Sequence, residues 1–361
     1  MKKTSTFNSK DYIAARIPDS SLSASNAEFD MKVIRIENAA LSQIDSVIEK
    51  ALSKYGKERI AVCVGTCDNG SEFSLAGHRV YFEKGAFDKE YTIEMQGADY
   101  VASFVSKKYD IKGPSLAFTT ACSSSAAAAL KARELISAGF ADAAIVGGVD
   151  IASDTTLLGF DSLGAVSAQA TNPFSKNRSG ITLGDGAAFF VLSRDFIDRD
   201  FAKIKLSGFG MSSDAYHITS PNPTGEGAAK AMQDAIEDAG LRAEEIGYVN
   251  LHGTGTLFND AMEAKALSKV FASYPVPASS TKSITGHTLG AASALETSIC
   301  ALALKEGLLP PQKWDGIYDT ELPAVNIVST CEKVLNLKNI LTSSFAFGGA
   351  NFAEVLSLEE D

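Results

Sequence analysis

The sequence predicts an α/β protein with buried mixed sheets, laid out as two successive series of strands and helices. Three observations carry that reading. Short apolar runs punctuated by glycine recur along the chain, Ala-rich stretches with helical spacing lie between them, and the pattern restarts near residue 200. The 361 residues suit two closely packed halves, placed at 1–200 and 201–361. Hydrophobic residues make up 45% and charged residues 21%, which excludes extended disorder, collagen and coiled coil.

Each element has a local justification. The first 30 or so residues are polar and Ser-rich and read as loosely packed. Residues 41–55 place Leu41, Ile44, Val47, Ile48 and Leu52 at helical spacing, predicting one helix. IAVCVGT (60–66) reads as a buried strand, 67–90 as an irregular polar stretch, and LAFTTA (116–121) as a strand. SSAAAALKARELISAG (124–139) reads as a helix closed by Gly139. AAIVGGVD (143–150) and AAFFVLS (187–193) are strands. In the second series 204–213 is a strand, 227–240 a helix, 247–253 a strand and 259–271 a helix. A short strand over PASSTK ends at Lys282, a helix spans 289–307, and ILTSSFAFGG (340–349) is a strand running into glycines.

Charge and targeting narrow the function. The net charge of −11 argues against a phosphate-backbone partner, so nucleic acid is not expected. The five cysteines do not form a disulfide framework, and Cys63 with Cys67 lacks the second pair or nearby His of a zinc site. The polar start is no signal peptide and no apolar stretch would span a bilayer, so a cytoplasmic protein is expected.

Chemistry concentrates in a few segments. Cys122 lies where an apolar strand runs directly into an Ala-rich helix. Helix N-termini present unpaired N–H groups and positive potential, which can lower a Cys pKa from about 8.5 to roughly 3.5–7.5. The alternative is a small buried Cys in a helix start. Of four histidines, His78 and His217 read as surface or loop residues. His252, in NLHGTGT, and His287, in KSITGHTLG, share Thr/Gly surroundings at element ends. A Cys with His partners remote in sequence is the form a thiol nucleophile site takes. Lys282 precedes His287, and Glu296, inside an apolar helix, needs a partner for which Lys282 is the natural candidate. FAFGGAN (345–351) ends in glycines that permit close backbone approach to a ligand.

In combination these motifs are specific. TACSSS around Cys122, PFSKNRSGITLGDGAA, LHGTGTLFND, SSTKSITGHTLGAASALE and SSFAFGGAN occur in family order, and the chain from about residue 55 onward resembles the elongating β-ketoacyl-acyl-carrier-protein synthases. The Trp-containing LPPQKWDG (309–316) looks closest to enzymes of aryl-polyene-type pathways. The resemblance implies a thiolase-like fold whose duplicated halves form an α-β-α-β-α layered core. It implies that Cys122 accepts an acyl group from the phosphopantetheine arm of an acyl carrier protein. His252 and His287 would then bind a malonyl thioester and promote its decarboxylation. Backbone N–H groups of Cys122 and Phe347 would form the oxyanion hole, with Phe347 also the gate. Thr254, Thr256, Gly348 and Gly349 would contact substrate, and Lys282 and Glu296 would form a supporting ion pair. No cofactor is implied, because loss of carbon dioxide generates the carbanion.

The resemblance also implies dimerisation through the sheet containing 116–121, as a homodimer or as a heterodimer with a related synthase or chain-length factor. A carrier-protein patch is expected at Lys176, Arg178 or Lys131. Two departures stand out: the usual first strand and Gly-rich turn are absent or highly diverged, and Ala350 stands where Thr is common. Three rivals compete. A non-catalytic chain-length-factor-like subunit would lose the nucleophile. A thiolase would carry a second Cys near the C-terminal glycines, and a papain-type hydrolase would have no use for Lys282 and two equivalent histidines.

Overall fold

A computed structural model describes all residues except 7–9, 26, 27, 29, 69, 198–202, 273, 360 and 361. The polar start is better packed than its composition suggests. Lys2–Ser5 (β1) and Asp11–Ala14 (β2) form an antiparallel hairpin outside both main sheets, and Tyr12 and Ala14 are buried. The Tyr12 hydroxyl donates to Asp161 at 2.9 Å, and Arg16 pairs with Asp154 at 2.7 Å. The diverged first strand is therefore this hairpin, which joins neither large sheet.

The single helix expected over 41–55 is two helices, Lys32–Ser42 (α1) and Asp45–Tyr55 (α2). Ile44 leaves helical geometry at φ −118° and ψ 13°, so Leu41 closes one apolar stripe while Ile48 and Ala51 begin another. Ile60–Gly65 (β3) follows and is buried at every position, as a central strand covered on both faces must be. The stretch expected to be irregular contains a helix, Ser71–Lys84 (α3), on which His78 is exposed. Tyr100–Tyr109 (α4), Ser115–Phe118 (β4), Ser124–Ser137 (α5), Ala143–Asp150 (β5), Asp154–Ser162 (α6) and Gly186–Ser193 (β6) complete the first series.

The second series holds Ile204–Ser213 (β7), Glu226–Asp238 (α7), Tyr248–Asn250 (β8), Leu257–Val270 (α8), Pro277–Ser279 (β9), Lys282–Thr285 (α9) and Ala292–Glu306 (α10). Leu308–Leu309 (β10), Asn326–Ile327 (β11), Glu332–Lys333 (β12), Asn339–Phe345 (β13) and Ala350–Leu358 (β14) follow. Lys282 thus opens a short helix instead of ending a strand, and His252 lies two residues beyond β8.

The two sheets repeat one plan. One runs β4-β3-β5-β6 and the other β11-β9-β8-β13-β14-β7. In each, three parallel strands (β4-β3-β5 and β9-β8-β13) are followed by an antiparallel one. Helices α5 and α10 fill the layer between the sheets, α1, α2 and α4 cover one outer face, and α7 and α8 the other. This is the five-layer thiolase-like arrangement of duplicated halves. The duplication reaches the turns that enter α5 and α10. Each is a single 3-10 turn whose first residue is left-handed, Ala121 at φ 51° and Leu289 at φ 53°.

Close packing of β3 on the start of α5 sets where Cys122 lies. A Cβ built on Gly65 would fall 2.3 Å from the Ser125 nitrogen. Gly65→Ala is therefore expected to destabilise the protein by about 1–3 kcal/mol, because backbone must move to relieve the overlap. A urea midpoint equal to wild type would contradict this packing.

Candidate active site

Cys122 stands at the turn between β4 and α5 and is 6% exposed. His252 follows β8, His287 follows α9, and Phe347 follows β13, so loops from both halves converge on the sulfur. The His287 Nε2 lies 3.1 Å from Cys122 Sγ. The Leu289 N–H donates to His287 Nδ1 at 3.2 Å, so a neutral ring carries its proton on Nε2 and donates it toward the sulfur. The two imidazoles meet edge to face with centroids 5.4 Å apart, and His252 also packs on Phe345. One donor atom from each of Cys122, His252 and His287 lies within 4.8 Å of the others.

The electrostatics correct one expectation. A helix start alone suggested a stabilised thiolate, but burial pushes the Cys122 thiol up to about 11. The Lys282 ammonium and the N–H groups of Phe347 and Cys122 pull the other way without winning. Near neutral pH the Cys122 side chain is therefore a thiol. Burial, then the Lys282 charge, holds both imidazoles well below their ordinary value, so both are neutral near pH 7. Lys282, 1% exposed, is ion-paired with Glu296 as the sequence suggested. Cys122, His252 and His287 are also a soft-metal donor set, but the buried ammonium acting on all three opposes a second cation.

Around these groups a cleft of about 240 Å³ is lined by Cys122, both histidines, Thr254, Thr256 and Phe347. Thr256 caps α8 by accepting from the Asn259 N–H, and its hydroxyl lies 3.0 Å from that of Thr254. Phe347 packs on Phe160 with centroids 5.6 Å apart. Gly348 and Gly349 both have positive φ, 87° and 81°, which no other residue type adopts as readily. A larger cavity, about 650 Å³, opens between α1 and α4 and touches none of these residues.

Two buried carboxylates escaped the sequence reading. Glu263 accepts from the His252 and Gly253 N–H groups, each at 2.7 Å, and Asp260 accepts from those of Phe174 and Gly255. Together they fix the loop that presents His252. The signal was available: both acids occur on the apolar helix that follows LHGTGT. Of the proposed carrier-protein patch, Lys176 is exposed, and Lys131 is half-buried and paired with Glu134. Arg178 is buried and bound to Asp319 at 2.5 Å, so it is no docking residue.

The comparisons with known proteins agree with this geometry. Residues 5–195 match the model of the beta-ketoacyl synthase N-terminal domain and 204–313 that of the C-terminal domain. A 3-oxoacyl-[acyl-carrier-protein] synthase 2 from Coxiella burnetii is 34% identical, covering 89% of this chain and 80% of that one. ApeO, a ketosynthase from Xenorhabdus doucetiae solved with its chain length factor ApeC, superposes with a TM-score of 0.91. It is 36% identical, with 99% of this chain and 90% of that one covered. The ishigamide ketosynthase/chain length factor gives 0.86 at 26% identity, covering 96% and 88%. The chain belongs to the β-ketoacyl synthase family. Its activity is that of a 3-oxoacyl-acyl-carrier-protein synthase, an acyltransferase that condenses thioesters.

Glu263→Ala would leave two buried N–H groups unpaired. It is expected to cost about 2–6 kcal/mol of stability, from about 1–3 for each of the two orphaned donors. Unchanged denaturant midpoints would refute that anchoring role.

Proposed function

We propose that Cys122 is the acyl acceptor in a decarboxylative Claisen condensation, and that His252, His287 and Lys282 serve its second half. The observation that carries this reading is the meeting of one sulfur and two neutral imidazoles within 4.8 Å. In the first half, Sγ attacks an acyl thioester on a carrier protein's phosphopantetheine arm. The new S–C bond forms, the arm's S–C bond breaks, and the thiol proton leaves with the arm's sulfur. The Cys122 and Phe347 N–H groups, which already point at the sulfur, hold the oxyanion.

In the second half, the carbonyl of a malonyl thioester lies against the imidazoles. Its C–C bond to the carboxylate breaks, carbon dioxide departs, and the electron pair becomes an enolate held by hydrogen-bond donors. The enolate carbon attacks the acyl carbonyl, the S–C bond to Cys122 breaks, and the departing thiolate takes a proton from water. The product is a 3-oxoacyl thioester two carbons longer. No cofactor is required, because decarboxylation supplies the carbanion. Thr254 and Thr256 contact the arm, Gly348 and Gly349 let backbone approach the substrate, and Phe347 gates the cleft against Phe160.

The partners are an acyl carrier protein and a second subunit, in a cytoplasmic enzyme whose halves divide near residue 200. Among the described residues strand β4 pairs only with β3, and its outer edge, with Leu116 37% exposed, suits a dimer contact. The two solved relatives that pair a ketosynthase with a chain length factor favour a heterodimer over a homodimer, and the Trp-containing LPPQKWDG supports an aryl-polyene-type pathway. A non-catalytic role would leave no reason for a sulfur placed 3.1 Å from a donor imidazole.

Cys122→Ala is expected to abolish elongation while the protein stays folded. Retained condensation with carrier protein and malonyl donor would overturn the assignment. Since both imidazole pKa values are lowered, neither ring gains a proton between about pH 8 and about pH 6. Malonyl decarboxylation by the Cys122→Ala variant should therefore stay flat across that window, and a fall toward pH 6 would refute neutral imidazoles. Carrier-protein affinity should drop with added salt and with Lys176→Glu; salt-independent binding would contradict a basic docking patch.

A further inference from the structure

Strand β14, ANFAEVLSL, is covered on both faces, yet carries Glu354 at its centre, 2% exposed. Its register partners are Thr342 on β13 and Phe209 on β7. Its side chain enters the layer between the sheets, where the Thr297 hydroxyl of α10 donates to Oε2 at 2.7 Å. The other oxygen, Oε1, has no partner among the described residues. Glu296, the neighbour of Thr297, shows the same pattern: Oε1 accepts from Lys282 and Oε2 is unpartnered. Two carboxyl groups near one helical turn, each with an orphaned oxygen in a dry interior, are poorly stabilised if both ionise. If one keeps its proton, it has an O–H to give and the other an oxygen to receive it.

We propose that Glu354 is a positioning residue for the Lys282 cation: as a neutral acid it donates its proton to Glu296 Oε2 and locks the carboxylate that holds Lys282 beside the imidazoles. This rests on the proposed roles of Lys282 and Cys122. Burial pushes Glu354 up to about 8 against the Thr297 hydrogen bond, with the Glu296 charge adding to the rise. From α10 the Cys300 thiol also faces both carboxyls, and its pKa too is raised well above the ordinary value. From β13 and β7 come Thr342 and Phe209; Asp238 accepts from the Phe209 N–H at 2.9 Å and pairs with Arg133 of α5, which lies over the Phe209 ring. Once Glu354 ionises, the cluster of Lys282, Glu296 and Glu354 passes from neutral to net negative. The field of Lys282 at the sulfur and the imidazoles then weakens.

The test is the pH dependence of Cys122 alkylation by iodoacetamide, read peptide by peptide in a mass spectrometer from about pH 6 to about pH 9.5. In the wild type, the rise in rate should break near the pKa of about 8 and flatten. Glu354→Gln keeps an N–H donor for Glu296 and an oxygen for Thr297 but cannot ionise, so its profile should run through without the break. Glu354→Leu, which leaves Glu296 Oε2 orphaned, should lower elongation by about tenfold, with Glu354→Gln recovering to within about threefold of wild type. Superimposable wild-type and Glu354→Gln profiles would overturn the proposal, as would wild-type elongation by Glu354→Leu. If Glu354→Leu does not fold, the Glu354→Gln profile decides alone. Should none of the proteins elongate while the two profiles still differ, the condensing reading falls and the proton assignment stands.

Discussion

The centre of this molecule is organised by one buried cation. Lys282 keeps its ammonium at 1% exposure because Glu296 neutralises it, and its field reaches the sulfur and both rings. Near neutral pH that field has opposite uses: it keeps imidazoles from charging, and it lowers the cost of charge on sulfur and on an enolate. Each effect is strong only because water is absent. The duplicated fold supplies the dryness, with α5 and α10 sealed between two sheets and Cys122 and His252 in loops that follow a strand of each.

The parts of the fold legible in the sequence are those whose burial is one-sided or complete and short. β3, β5, β7 and the helices α5, α7 and α10 match their patterns because glycine or small residues punctuate them clearly. α3 was invisible for a physical reason: none of its residues is buried, so SEFSLAGHRVYFEK has no apolar stripe to betray it. β14 was hidden by the opposite condition. It is buried on both faces, and Glu354 interrupts what would read as an apolar strand.

The site was more legible than its support. His252 and His287 could be singled out because polar residues in glycine-rich element ends are costly without a task, Cys122 by its strand–helix junction, and Glu296 with Lys282 because a carboxylate inside an apolar helix needs a partner. Glu263 and Asp260 were passed over, since a carboxylate on a helix ordinarily faces water and their apolar helical neighbours are a weak signal; the tertiary structure shows them receiving backbone N–H groups. The thiolate expected from the helix start failed in the same way. Sequence reveals the helix terminus, whereas the desolvation that outweighs it depends on residues more than a hundred positions away.

The raised thiol has a consequence for durability. Peroxides and other oxidants attack thiolate sulfur, and a protonated, desolvated cysteine is a poor target for them. Kept protonated between turnovers, Cys122 is shielded from the irreversible acids of sulfur while idle. In the proposed role of Cys122, the nucleophile spends its resting life in its least damageable form.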